Sequence, residues 1–350
     1  MLNRIIRILG AALCSTLLLA GCCVKLHDPE PRPAGTIGFS AGSALLLDDA
    51  KTKASTESWA VRDTFDVFGE RVTAADVHST VFDGVDVYTA DGGTNWDYTP
   101  HRFWYWMSTS DKYHFVAVHP RDKASKMDIP GTIAASTHYD INPVLPAEPD
   151  EYDLMAATSR RLGNVGNPIA TVNFNFTHLG AAVGLSFVNN SENTGVYIKS
   201  WNFRYLVVCG DAKATIRSDG NPDLSWINTE RNASEVRAVS FTGDGQLVAA
   251  GSGTYNSPYA VMIPQRLDQG VSTNMPTLHL VYRKVGALED SEEFITLKDI
   301  KRSDDTAITS WVMNTKYTYV ISMRLDGGLL ITVNTTPWET VEAETPGLLI

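Results

Sequence analysis

Short stretches in which hydrophobic and polar residues alternate are the dominant pattern along this chain. Val172, Phe174 and Phe176 are separated by single polar residues, and 64–68 and 113–118 show a similar period. Successive side chains of a β-strand point to opposite faces, so a period of two is typical of strands. Further strands are predicted at 85–88, 103–106, 183–188, 196–208, 236–241, 259–263, 277–283, 293–297, 317–324 and 328–333.

Turn signals rich in glycine, asparagine and aspartate separate these predicted strands. They occur at 91–93, 218–222, 242–245 and 326–328. Such residues tolerate the backbone conformations of tight turns. The last of them predicts a hairpin between strands at 319–325 and 329–333.

Helical patterns are few and short. The best candidates are 72–77 and 152–160, and neither extends much beyond two turns. Many short strands separated by turn signals are typical of β-sandwiches and β-barrels. The pattern therefore predicts an all-β fold.

A proline-rich region divides the chain. Between 121 and 170 the sequence is rich in loop-forming residues and contains Pro130, Pro143, Pro146, Pro149 and Pro168. The length of the chain favours two domains. We predict one β-sandwich at 36–165 and a second at 166–350, the latter including a terminal tail.

The first 21 residues have the features of an export signal. Arg4 and Arg7 precede a mostly apolar run of about a dozen residues, which is too short to span a membrane stably. The following Leu-Ala-Gly-Cys sequence resembles the lipobox of bacterial lipoproteins. This resemblance implies cleavage between Gly21 and Cys22 and a lipid on the Cys22 thiol. The residue directly after Cys22 is Cys23 and not an aspartate, which favours delivery to the outer membrane.

Three prolines follow within 29–33, and they predict an extended tether at 22–35 between the membrane and the folded body.

Composition excludes several classes of function. The formal net charge is −11 and no block of basic residues stands out, so we expect no nucleic-acid partner. Hydrophobic residues make up 43% of the chain, which is enough for buried cores. Of the four cysteines only Cys209 lies in the predicted body, and no cysteine–histidine group has zinc-ligand spacing. We expect no disulfide in the body, no metal and no cofactor.

The order of several segments resembles the fimbrillin family, the two-domain subunits and accessory proteins of fimbriae in Bacteroidales-type bacteria. The resemblance extends over nearly the whole chain after the signal. The matching segments are the lipobox, 37–39, 51–54, 65–69, 96–100, 113–120, 153–157, 172–179, 260–265 and 311–321, followed by Trp338. The resemblance implies two transthyretin-like β-sandwich domains in tandem, and export as a lipoprotein to the cell surface.

The resemblance also implies how the subunits assemble. A trypsin-like protease cuts a basic site in an N-terminal loop, and the strand before the cut is lost. A strand from another fimbrial subunit then fills the open groove by β-strand addition. The cut would lie at Lys51 or Lys53, with Arg62 as the second choice, and 36–47 would be removed. The alternative for both lysines is a solvated loop. The tail at 339–350 is either a short donor strand or a plain terminus.

Two further patterns have competing interpretations. The sequence from Gly38 to Gly42 matches the G-x-S-x-G nucleophile motif around Ser40, but it lacks the strand–turn–helix context that the motif needs. We therefore predict that the chain is not an enzyme. The rings of Trp96, Trp104 and Trp106 either stack on glycans or fill the core of a sandwich.

The sequence thus predicts a structural and adhesive fimbrial subunit at the outer membrane. Its partners would be other fimbrial subunits, membrane lipid through Cys22, and a host or bacterial surface glycan or protein. The alternative is a monomeric outer-membrane lipoprotein that binds glycans, keeps its N-terminal strand and exposes the aromatic residues at 96–106.

Overall fold

The computed structural model describes most of the chain after the predicted tether. The described residues are 35–42, 59–99, 104–121, 125–126, 133–140, 153–163, 171–216, 222–270, 274–323 and 328–338. Nearly all regular structure within them is β-strand, and the single helical segment is the 3₁₀ turn Leu297–Asp299. No helix in this part of the chain is long and apolar enough to cross a membrane.

Twenty-two strands are numbered in chain order. The first eleven are β1 Gly38–Ala41, β2 Thr64–Val72, β3 His78–Thr89, β4 Trp96–Thr99, β5 Lys112–His119, β6 Ser125–Lys126, β7 Ile133–Asp140, β8 Met155–Leu162, β9 Thr171–Phe174, β10 Thr177–His178 and β11 Ala181–Asn189. The others are β12 Val196–Ile216, β13 Pro222–Ser240, β14 Gln246–Val248, β15 Gly253–Asn256, β16 Ala260–Met262, β17 Gln265–Arg266, β18 Thr277–Lys284, β19 Ser291–Thr296, β20 Ser310–Trp311, β21 Thr315–Met323 and β22 Leu329–Pro337.

A six-stranded antiparallel sheet organises the N-terminal half, in the order β10-β8-β5-β2-β3-β4. Its central strand β5 is buried on both faces. Tyr113, Phe115 and Ala117 belong to one core cluster, and Val116 and Val118 belong to another. The run is apolar at consecutive positions because both faces of the strand exclude water.

Two further sheets, of five and seven strands, build most of the C-terminal half. A five-stranded sheet has the order β15-β11-β21-β22, with β16 also paired to β11. A seven-stranded sheet has the order β19-β18-β12-β7-β6, with β13 and β14 paired to β12. Leu185 and Tyr319 of the first sheet share a core cluster with Ile198 and Leu280 of the second, as in a β-sandwich.

Several strand pairs join segments from the two sides of the predicted boundary near 165. β1 pairs with β9 in parallel, β10 pairs with β8, and β7 pairs with β12 over its full length. The division into domains at 36–165 and 166–350, and their transthyretin-like topology, stay predictions.

The all-β prediction is confirmed, with the hairpin at 326–328 as its clearest local success: β21 and β22 are antiparallel neighbours on either side of it. The helix predicted at 152–160 is wrong, because residues from Met155 on form β8 between β5 and β10. The helix predicted at 72–77 is also wrong, because this segment is the end of β2 followed by a turn.

Candidate functional site

The first described segment, 35–42, is inserted between two other parts of the chain. β1 runs parallel to β9, with Gly38 opposite Thr171 and Ala41 opposite Phe174. The ladder continues one residue further, where the Gly42 N–H donates to the Phe174 carbonyl at 3.0 Å. β9 is the partner of β1 in a separate two-stranded sheet.

The beginning of this segment is paired on a second side. The Ile37 N–H donates to the Trp104 carbonyl at 2.7 Å, and the Trp106 N–H donates to the Gly35 carbonyl at 3.1 Å. Thr36 is bridged to Tyr105 in an antiparallel sense. Main-chain hydrogen bonds therefore join the beginning of the segment, 35–37, to 104–106, and the remainder, 38–42, to β9.

Alternate side chains of the inserted segment complete the N-terminal core. Ile37, Phe39 and Ala41 are 0%, 3% and 9% exposed. The Phe39 ring centroid lies 5.2–6.0 Å from the rings of four aromatic residues: Phe82, Tyr98, Phe115 and Phe174. Burying one phenylalanine side chain contributes about 1.5–3 kcal/mol. Removing β1 would leave an apolar groove lined by these rings.

Trp59 closes the far end of the same segment. Its indole N–H donates to the Gly42 carbonyl at 2.6 Å, and its ring is 4% exposed against Trp96 and Phe176. The chain between Gly42 and Trp59 contains Lys51 and Lys53. The stretch of chain between Gly42 and Trp59 is therefore fixed at both of its ends, because Trp59 is hydrogen-bonded to Gly42 at the end of β1.

The predicted processing residues are located as follows. Gly21, Cys22, Lys51 and Lys53 lie outside the described residues. Arg62 is exposed in a turn with a positive φ of 78°, and its backbone N–H donates to the Thr89 carbonyl at 2.8 Å.

Two of the three tryptophans suggested for glycan stacking face the interior. Trp96 and Trp106 are each 5% exposed, and Trp104 is partly buried with its ring 4.7 Å from that of Phe82. Tyr105, the intervening residue, points outward and is 45% exposed. This burial favours the core interpretation of the aromatic segment.

Ser40 has no catalytic neighbourhood. It lies in the middle of β1, and its hydroxyl donates to the Asn173 side-chain oxygen at 2.6 Å. The motif around it forms an extended strand instead of a sharp strand-to-helix turn. Among the described residues no group of three or more histidine, cysteine, aspartate or glutamate side chains could hold a metal ion.

A buried ion pair that sequence reasoning missed lies close to this site. Asp153 Oδ2 is 2.7 Å from His178 Nδ1, and the His178 side chain is 0% exposed. The Trp338 ring stacks on the imidazole, with ring centroids 3.9 Å apart and planes 8° from parallel. Trp338 is the last described residue, and its N–H donates to the Asn314 carbonyl at 2.9 Å. The root of the C-terminal tail is therefore fixed against β10.

Two nearby titratable groups are perturbed by their surroundings. Burial lowers the pKa of His119, although its hydrogen bond with the Thr64 carbonyl opposes the shift. Burial acts to raise the pKa of Glu70, but hydrogen bonds and charge interactions with His114 and His78 outweigh it, and the pKa is lowered. Both groups lie on neighbouring strands of the six-stranded sheet, Glu70 on β2 and His119 on β5.

Comparison with known protein families gives a match that spans most of the chain. The sequence profile of the fimbrillin-like family matches residues 52–338. No curated protein sequence is significantly similar to the chain.

Among solved structures, a candidate cell adhesion protein from Bacteroides uniformis is 16% identical with a TM-score of 0.49, over 87% of this chain and 100% of its own. The tip fimbrial protein Mfa3 from Porphyromonas gingivalis is 11% identical with a TM-score of 0.44, over 89% and 100%. The fimbrial anchor protein Mfa2 from the same species is 10% identical with a TM-score of 0.33, over 88% and 99%. Structural similarities this low carry no functional argument.

Proposed function

Because the chain belongs to the fimbrillin-like family, we propose that it is a fimbrial subunit that polymerises by β-strand exchange. Membership of this family makes it a structural protein of cell-surface fimbriae with an adhesive role, not an enzyme, and implies association with other fimbrial subunits. The exchange mechanism, the lipid anchor and the maturation cut are the parts that we propose.

The observation that carries the exchange proposal is the way β1 is held. The segment 35–42, which contains β1, is bonded through its backbone to 104–106 and to β9, and it fills an aromatic core with Ile37 and Phe39. Main-chain bonds with alternate side chains in pockets are the mode by which a strand of one protein completes the sheet of another. A cut between Gly42 and Trp59 would turn β1 into a separate, non-covalently bound segment.

The uncut precursor would protect the groove, because an empty apolar groove would be unstable in water. Unpaired strand edges and large apolar patches promote aggregation. Keeping β1 in place until the subunit reaches the cell surface would prevent premature pairing. The lipobox ending at Cys22 supports export as an outer-membrane lipoprotein, with the cut releasing both the lipid and the strand.

A neighbouring subunit would supply the replacing strand. The tail at 339–350 ends in Leu348, Leu349 and Ile350, which are suited to apolar pockets. Its root at Trp338 is anchored, so a donor segment would project from a fixed point.

Limited trypsin digestion of the full-length protein in detergent tests the proposal. We expect a first cut after Lys51 or Lys53, identified by intact mass and N-terminal sequencing, followed by a ladder of oligomers in size-exclusion chromatography. A variant with Lys51→Gln and Lys53→Gln should resist this cut and stay monomeric. An excess of a synthetic peptide of residues 36–47 should suppress the ladder, because it refills the groove.

Either of two results would count against strand exchange: a cut protein that stays monomeric, or a ladder that the peptide does not reduce. The alternative of a monomeric glycan-binding lipoprotein relied on exposed rings at 96–106, and the burial of Trp96 and Trp106 does not favour it.

A further inference from the structure

The five-stranded sheet of the C-terminal half is almost free of charge. Its strands β11, β15, β16, β21 and β22 contain no aspartate or glutamate, and Lys316 is their only charged residue. The whole chain has 40 acidic residues and a net charge of −11. The inner face of this sheet lies in the core, where charges are costly, but the outer face has no such constraint.

Neutral hydrogen-bonding groups occupy that outer face. Leu185, Phe187, Tyr317 and Tyr319 point into the core, so the residues between them point outward. Around Tyr259 the outward set is small or polar: Gly184, Ser186, Asn256, Lys316, Thr318 and Asn334. Towards the other end of the strands the same face also carries Val188, Val320 and the exposed Leu330. Ser186 donates to the Asn256 side-chain oxygen at 2.7 Å.

One aromatic ring is fixed on this face. Tyr259 is 36% exposed, and its hydroxyl lies 2.6 Å from the Thr318 hydroxyl. The ring lies against Gly184, where an added Cβ would come within 3.0 Å of a ring carbon. Glycine at this position lets the ring rest on the strand backbone. The tyrosine is thus held at two points, and part of its ring faces solvent.

The only cation of the sheet lies beside this ring. The Lys316 ammonium is 5.7 Å from the ring centroid of Tyr259. No carboxylate of the described residues lies within ion-pair distance of it. An ammonium with no carboxylate partner among the described residues, on a sheet whose strands contain no acidic residue, creates a local positive potential on an otherwise acidic protein.

We propose that this face binds an acidic saccharide. The pyranose ring would stack on the exposed part of the Tyr259 ring, and the carboxylate of a uronic or sialic acid would pair with the Lys316 ammonium. The hydroxyls of Ser186 and Thr318 and the amide of Asn256 are neutral donors and acceptors that match sugar hydroxyls. A fixed aromatic ring with a few oriented polar groups is the usual composition of a small-ligand site.

Charge complementarity selects the acidic class of sugar. A neutral saccharide would form no ion pair with Lys316, whereas the carboxylate of an acidic saccharide would neutralise the charge of its ammonium group. Because the rest of the protein repels anions, we expect binding to depend on this one contact and to weaken as ionic strength rises. The proposal does not depend on strand exchange, since the residues of this face are separate from β1 and its groove.

Binding of matched ligand pairs to the full-length protein in detergent tests the site. Isothermal titration would compare 3′-sialyllactose with lactose, and affinity electrophoresis would compare polygalacturonate with its methyl ester. We expect the acidic member of at least one pair to bind, and the matched neutral sugar to bind at least about tenfold more weakly.

Substitutions at Tyr259 and Lys316 test whether these two residues contact the sugar. Tyr259→Ala should weaken binding by about tenfold or more through loss of stacking. Lys316→Met should remove the preference for the acidic member. Tyr105→Ala and Lys112→Met change an exposed ring and an exposed lysine of the N-terminal half, away from this face, and they should leave binding unchanged. All variants are compared by thermal unfolding, and Tyr259→Phe keeps the ring if Tyr259→Ala proves unstable.

The proposal is overturned if neither acidic ligand binds, or if binding survives both Tyr259→Ala and Lys316→Met. Failure here would leave the strand-exchange proposal intact, because trypsin-dependent oligomer formation requires no saccharide.

Discussion

At the scale of single residues, one close contact between buried polar groups ties neighbouring elements together. His178 of β10 pairs with Met155 of β8, and Asp153, two residues before Met155, brings its carboxylate to 2.7 Å from the His178 imidazole. Burying polar groups is costly, so a close contact of this kind favours one arrangement of its surroundings. Trp338 completes this arrangement by covering the imidazole face.

The Trp338 side chain should therefore contribute strongly to stability. Trp338→Ala would leave a cavity and expose one face of His178, and we expect a loss of about 3–5 kcal/mol in the free energy of unfolding. Guanidinium denaturation measures this change. Tyr105→Ala, at a 45% exposed ring, is the matched control and should cost less than about 1 kcal/mol. Equal losses in the two variants would contradict the assigned role.

His119 predicts how stability changes with pH. Its Nδ1 lies 2.8 Å from the Thr64 carbonyl, which only accepts, so Nδ1 carries the proton of the neutral ring. Burial lowers its pKa below the ordinary 6.5; Asp63 and Asp153 partly oppose this shift, and His178 adds to it.

The unfolded chain therefore takes up a proton near pH 6.5 while the folded chain does so only at lower pH. The stabilisation is fully present above pH 6.5 and is lost as pH falls through the folded-state pKa. We expect His119→Gln to flatten the decrease in the free energy of unfolding between about pH 7 and 5. The lowered pKa of Glu70 adds its own loss only below about 4.5, outside this window. A variant with an unchanged slope would show that other groups cause the decrease.

At the scale of elements, β1 is a short strand whose contribution to the core is large. Four residues form its ladder with β9, yet Phe39 contacts four other aromatic rings. The backbone hydrogen bonds of β1 fix its register against β9. Its buried alternate side chains contribute most of the free energy with which it binds the rest of the domain.

Phe39→Ala should accordingly loosen the segment. We expect a loss of about 3–5 kcal/mol in the free energy of unfolding of the intact protein. After trypsin cleavage, the N-terminal fragment should also dissociate faster in size-exclusion chromatography. Ser40→Ala removes only one partly buried hydrogen bond, and it should cost about 1 kcal/mol. If both variants released the fragment at the same rate, the aromatic contacts would not be what retains it.

β8 shows why some elements could not be predicted from local sequence. Its sequence Met-Ala-Ala-Thr-Ser-Arg-Arg-Leu has a high intrinsic preference for helix. In the structure it is a central strand between β5 and β10, with Met155, Ala156 and Ala157 almost completely buried. Small side chains fit between two packed cores, and this tertiary requirement overrides the local preference.

At the scale of the whole molecule, the proposed function depends on where the body is held and when it is released. The body follows a tether that begins at Cys22, the predicted lipid site. The cut near Lys51 or Lys53 would end the covalent link to that anchor and leave β1 held in the groove by non-covalent contacts alone, so that a strand of another subunit could replace it. One proteolytic event would thus couple release from the membrane to competence for assembly.

The lipid anchor is testable by itself. Cys22→Ser should abolish incorporation of labelled palmitate and leave the uncleaved signal on the protein, seen as a higher mass. Cys23→Ser, one residue further on, is the matched control and should be labelled as the wild type is. Labelling that persists in Cys22→Ser would contradict the lipobox assignment.

The sequence by itself determined the all-β class, because a period of two in hydrophobic positions is a local property that a strand must have. It also determined the hairpin between β21 and β22, since the turn residues and both strands are contiguous. The order of segments that resembles the fimbrillin family is likewise readable along the chain, and the family match over residues 52–338 confirms it. The export signal stays a prediction from the sequence.

Only the tertiary structure decided which strands became neighbours. The pairings of β1 with β9 and of Asp153 with His178 join residues far apart in sequence, and no local pattern encodes such partners. The same holds for the ring of Tyr259 over Gly184 beside Lys316. The alternation of hydrophobic and polar residues established that each strand had a buried face. The packing of the sheets against one another decided which face met the core and which aromatic rings stayed exposed.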